Sequence, residues 1–128
     1  MTTQIGLFRN ARHVRDLAPG EVLFTVGDHG DAMFSVLEGS ISLLDGDRLV
    51  EAVGPGGIIG ELVLVEPGPR SLHAVATAPT RVAVVGEQEF HFLVQEHPSF
   101  ALSVMKVMAE RLRRNDATAR GATPPASA

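Results

Sequence analysis

The sequence predicts a mainly β domain that ends in two helices. Short apolar runs broken by glycine recur from Arg12 to Val85 at about ten-residue spacing. Strands spaced in this way, with Gly, Asp and Pro between them, form a sandwich or a barrel. After Glu87 the apolar residues change to a helical period. The chain has 128 residues, the size of one domain, and 45% of them are hydrophobic, enough for a core. With six Phe and no Trp or Tyr, that core must be largely aliphatic.

The expected order is a single domain over 1–115, with a β-roll over about 12–86 and helices over about 87–115. The strand candidates are "EVLFTV", "AMFSVLEG", "SISLLDGD", "RLVEAVGPG", "SLHAVATA" and "RVAVVG". Asp45-Gly46 between two of them is a hairpin signal. "APGE" and "VGDHGD" read as turns. "EQEFHFLVQEH" predicts two to three helical turns with Phe90, Leu93 and Val94 on one face. Pro98 suits the first turn of a second helix, whose apolar residues are 101, 104, 105, 108, 109 and 112. That stripe is too broad for one contact, so one side is expected on the roll and the other on a second subunit. Arg111, Arg113 and Arg114 read as compensation of the helix dipole. The segment 116–128 reads as a disordered tail.

Composition narrows the function. The net charge of −4 gives no footprint for direct nucleic-acid binding. The absence of Cys removes disulfides, thiolate metal sites and a Cys nucleophile, and fits a cytoplasmic protein. Neither a signal peptide nor a membrane span is visible. The five His residues lack ligand spacing, so no metal is expected. No nucleophile motif or paired acid and base is present, so an enzyme is not expected.

The chemistry concentrates in "GPGGIIGELVLVEPGPRS", Gly54 to Ser71. Its glycines resemble a dinucleotide loop, but Ile59 stands at the third glycine position. Pro67 also leaves room for only about one helical turn, where that fold needs a full crossover helix. A single turn still presents unpartnered N–H groups to an anion. Gly60 allows close approach to the backbone. Arg70 returns nine positions after Glu61 and can bind a phosphate through two parallel bonds. Glu61 would repel a phosphate but accepts from sugar hydroxyls. The competing reading is a structural Glu61–Arg70 salt bridge.

"GGIIGELVLVEPGPRSLHAV" resembles the phosphate-binding cassette of cyclic nucleotide-binding domains, found in cAMP receptor proteins, protein kinase A regulatory subunits and cyclic-nucleotide-gated channels. "PGEVLFTVGDHGDAMFSVLEGSISLL" resembles that family's first hairpins, and "EFHFLVQEHPSFALSVMKVMAERLRR" its two closing helices. The resemblance covers about residues 12–114 and implies a jelly-roll-like, double-stranded β-helix. It implies that Glu61 accepts from the ribose 2′-OH and that Arg70 pairs with the cyclic phosphate. Backbone N–H groups of Gly60, Leu62 and Val63, with Ser71, would complete the cradle. Counting from Pro98, Asn115 falls where a base contact is made in cAMP receptors. Val63 departs from the family's usual Ala or Gly, and Leu72-His73 from its usual small pair.

The expectation is a sensor domain for cAMP rather than cGMP, with no other cofactor. Binding would move the C-terminal helices and signal to a partner, either a homodimer through helix 98–114 or another protein. No helix-turn-helix module is expected after Arg114. The alternative is a degenerate domain of the same fold acting as a ligand-independent interaction module, which Val63 motivates.

Overall fold

The computed structural model describes Phe8 and residues 11–122, with side chains as far as Arg114. Eight strands come first: β1 (Val14–Leu17), β2 (Val22–Phe24), β3 (Ala32–Glu38), β4 (Ile41–Asp45), β5 (Arg48–Val53), β6 (Ile58–Ile59), β7 (His73–Ala76) and β8 (Thr80–Gly86). One helical turn, α1 (Leu62–Val65), interrupts them, and α2 (Glu87–Glu96) and α3 (Pro98–Ala122) follow. The strands form two four-stranded antiparallel sheets, ordered β1-β8-β3-β6 and β2-β7-β4-β5.

The apolar runs of β3 and β8 are continuous because both of their faces are covered. Side chains alternate across a strand, and here the alternation sorts residues into two cores. Phe34, Val36, Val82 and Ile59 enter the core between the sheets. Their neighbours Met33, Ala83, Val85 and Ile58 face the helices on the outer side. Phe90 of α2 and Phe100, Val104 and Val107 of α3 complete that second core. The Phe100 ring meets Phe8 and Phe90 edge-on, each at 5.7 Å between centroids. A second aromatic pair, Phe24 and Phe34, stacks at 6.1 Å in the core between the sheets.

The Asp45-Gly46 hairpin joins β4 to β5, with Gly46 at φ 63° and Asp45 opposite Arg48. Two strands lacked a sequence signal. β1 is "VRDL", half charged and mostly exposed, and is held by pairing with β8. β6 has two residues and lies inside the glycine-rich stretch. The helix expected to end near residue 115 continues to Ala122, so the predicted tail begins as helix. No proline interrupts Asp116–Ala122, and Ala and Arg favour helix there. Residues 123–128 of that predicted tail lie outside the described residues. Among the described residues, no helix is long and apolar enough to cross a membrane.

Gly39 closes the turn between β3 and β4 at φ 89°, and a side chain there would run into the Pro79 carbonyl and the Thr80 hydroxyl. Gly46 also has positive φ but faces open space. Replacing Gly46 by Ala should cost about 1–2 kcal/mol for the left-handed backbone alone. Gly39→Ala should cost clearly more, because sterics add to the same backbone cost. Urea denaturation of the two variants measures the difference.

Candidate ligand-binding site

Arg70 sits where the chain returns from α1. The Arg70 N–H donates to the Asp28 carbonyl at 2.8 Å, and its carbonyl accepts from Gly27 N–H at 2.9 Å. A bridge between His29 and Pro69 continues the pairing. The turn "VGDHGD" therefore fixes the Arg70 backbone, and its side chain points inward. Nη2 donates to the Ala32 carbonyl at 2.7 Å and Nη1 to the Gly60 carbonyl at 3.1 Å. The guanidinium carbon lies 4.3 Å from the centre of the Phe24 ring and 5.7 Å from that of Phe34.

Arg70 is only 7% exposed, and among the described residues it forms no ion pair. Burial pulls its pKa below the usual arginine value, and the more distant charges of Asp31, Asp28 and Glu61 oppose that pull. A buried cation without a counter-ion is costly. The two carbonyls and the aromatic faces offset part of that cost. Glycine is required on two sides. A Cβ at Gly30 would lie 2.7 Å from the guanidinium carbon, and one at Gly60, where φ is 73°, would lie 2.5 Å from Nη1.

Glu61 does not pair with Arg70, so the salt bridge weighed from the sequence is not formed. Its partner is Arg111 of α3, whose Nη1 donates to Glu61 Oε1 at 2.6 Å. The same guanidinium donates from Nε and Nη2 to the two oxygens of Glu51, at 3.0 and 3.3 Å. Nη2 also reaches the Ile58 carbonyl at 2.7 Å. Arg114 Nη1 donates to Glu51 Oε1 at 2.7 Å. Burial lowers the Arg111 pKa, but the two carboxylates outweigh it and leave the group above its usual value.

These side chains surround one cavity of about 620 Å³, in the size range of small-molecule sites. Gly60, Glu61, Leu62, Val63, Arg70 and Ser71 all line it, so the structure gathers six of the seven residues singled out from the sequence. For the seventh, Asn115, the structure describes only a position on α3. α1 is the expected single turn, and its first N–H groups have no intrahelical acceptor. Glu61 stands at its start without capping it, which leaves the carboxylate to the cavity. Val63 lines the cavity but is 8% exposed and belongs to the helix-side core with Met33 and Leu64. Its Cγ1 occupies space that a Cβ at Gly30 would need. Glu51 and the pocket role of Arg111 and Arg114 were not found from the sequence. The available signal was spacing: 104, 107, 111 and 114 lie on one helical face, which is the buried one.

The family model for the cyclic nucleotide-binding domain matches residues 14–97. The chain belongs to the cyclic nucleotide-binding domain family. The domain is 32% identical over 102 residues to the cyclic AMP receptor protein of Thermus thermophilus, a match covering 76% of this chain and 47% of that protein. The chain thus spans about half the length of the curated relatives first matched. The structure of the Thermus thermophilus catabolite activator protein superposes with a TM-score of 0.75 at 31% identity, covering 83% of this chain and 52% of that one. A second solved structure comes from work on a cyclic-GMP-dependent signalling pathway that regulates bacterial phytopathogenesis. It superposes with a TM-score of 0.68 at 31% identity, covering 93% of this chain and 96% of that one.

In this cyclic nucleotide-binding domain, Arg111 neutralises two buried carboxylates at once. Arg111→Met would leave both without that partner and should destabilise the fold by about 3–5 kcal/mol. Adding Glu51→Gln and Glu61→Gln should recover part of the loss, since both buried carboxylate charges are then gone and only the more exposed Arg114 loses a carboxylate partner. Urea denaturation of the single and triple variants tests this order.

Proposed function

We propose that this domain binds a cyclic mononucleotide, cAMP in preference to cGMP, and passes the event to a partner through α3. The observation that carries the proposal is the buried Arg70 guanidinium, without an ion pair among the described residues, at the wall of a cavity that Glu61 also lines. A cyclic phosphate supplies the missing counter-ion. A ribose hydroxyl matches a carboxylate that repels phosphate but accepts from O–H. The first N–H groups of α1 and the Ser71 hydroxyl would take the remaining phosphate oxygens, since Leu62, Val63 and Ser71 line the same cavity as Arg70.

The Thermus relative is named for cyclic AMP, which supports the adenine nucleotide. The ligand-independent alternative rested on Val63. With that side chain in the core and its bulk taken up beside Gly30, the residue no longer favours it.

Signalling follows from the Arg111–Glu61 contact. A ribose hydroxyl on the other oxygen of Glu61 draws on the carboxylate charge that holds Arg111, so occupancy changes how strongly the far half of α3 is held. The ligand then acts by shifting a population, in proportion to its different affinity for the two helix positions. α3 also turns Leu102, Met105 and Leu112 to solvent, a face suited to a second copy or another protein.

Arg70→Ala should lower cAMP affinity by about a hundredfold or more, the loss of two charge-assisted bonds, with circular dichroism unchanged. Calorimetric titration with cAMP and cGMP measures it. Equal affinity in the variant and the parent would overturn the assignment. Tighter binding of cGMP than of cAMP would overturn the base preference alone.

A further inference from the structure

We infer that Glu51 is a positioning residue for the ligand's ribose hydroxyl, acting through Arg111 on Glu61; this rests on the cyclic nucleotide reading above. A guanidinium that meets one carboxylate freely takes both of its oxygens with two parallel bonds. Arg111 does not do so with Glu61. Glu51 receives Nε and Nη2, and the Ile58 carbonyl also receives Nη2. That edge of the planar fork is used up. Only Nη1 is turned to Glu61, and it engages Oε1 alone. Among the described residues, Glu61 Oε2 has no hydrogen-bond donor. One oxygen of a buried carboxylate is thus kept at the cavity wall for a ligand O–H.

Glu51 is itself held. It lies on β5 opposite Leu43 of β4, its side chain is 8% exposed, and Arg114 Nη1 donates to its Oε1 at 2.7 Å. The carboxylate therefore cannot swing away with Arg111. Without Glu51, the Ile58 carbonyl alone restrains the Nε–Nη2 edge. The fork then turns to face Glu61 with two donors and occupies both oxygens. The ribose hydroxyl meets a carboxylate already satisfied, and the site stops distinguishing a ribonucleotide from its 2′-deoxy analogue.

The test is titration calorimetry of the parent, Glu51→Ala and Glu51→Gln with cAMP and 2′-deoxy-cAMP, with the guanine pair run in parallel. The parent should prefer the ribonucleotide by about tenfold or more, the worth of a hydroxyl bond to a charged acceptor. In Glu51→Ala the preference should fall below about threefold, while affinity for 2′-deoxy-cAMP is retained or increased. Glu51→Gln keeps one carbonyl for Arg111 and should be intermediate; it also serves if the alanine variant does not fold. A merely structural role would weaken both nucleotides together and leave their ratio unchanged, and that result in either folded variant overturns the inference. A parent that binds the nucleotides but does not prefer the ribose form also overturns it. A parent that binds none of the four nucleotides overturns the sensor reading and this inference with it.

Discussion

A guanidinium buried without a carboxylate partner among the described residues is the constraint on which the site depends. Taking such a charge out of water costs several kcal/mol even after relaxation. Arg70 is tolerated because the Ala32 and Gly60 carbonyls accept from it and the Phe24 and Phe34 rings lie beside it. None of these groups carries a formal negative charge, so they hold the cation in place without neutralising it. Their positions follow from the fold. Ala32 opens β3, Phe34 lies two residues on, Phe24 ends β2, and Gly60 follows β6. The central strands therefore build the Arg70 end of the cavity and the sandwich core with the same residues. Loss of the roll would be loss of the site.

The other end of the cavity belongs to α3 and works by a different force. Phe100, Val104 and Val107 fix the first half of the helix by apolar burial, and Arg111 and Arg114 fix the next turns by charge. The two kinds of contact share one face of one helix. Apolar burial responds little to a polar ligand, whereas an ion pair weakens when a hydroxyl draws on the charge of its carboxylate. Under the proposed function a ligand would act on the ionic half, with the apolar half as the pivot. This division follows from the chemistry of successive turns and needs no change in the roll.

Much of this was legible in the sequence because the information was local. Glycine-broken apolar runs gave most strands, and Pro67 limited α1 to one turn. The nine-residue step from Glu61 to Arg70 brought acid and base to one cavity. What was not legible depended on distant partners. β1 is half charged and mostly exposed, so its strand state comes from pairing with β8 rather than from its own pattern. Glu51 carries no local sign of burial within its strand segment "RLVEAVGPG". It is buried only because α3, sixty residues later, lays two arginines over it. Arg111 and Arg114 suited a helix C-terminus so well that the dipole explanation appeared complete. Their spacing from Val104 and Val107 would have placed them on the buried face.

Val63 shows how a departure from a motif is absorbed. A β-branched residue in the cradle turn adds volume next to the guanidinium. The turn tolerates it because the volume lies on the core side, among Met33, Ile58 and Leu64, where Gly30 has no side chain to oppose it. Gly30 thereby serves two neighbours, since the atoms nearest to a Cβ built there belong to Arg70 and Val63 together. The cradle residue and the glycine facing it form one packing unit, although 33 positions separate them in the chain. The valine thus leaves the cavity beside Arg70 open, and its N–H stays in the first turn of α1.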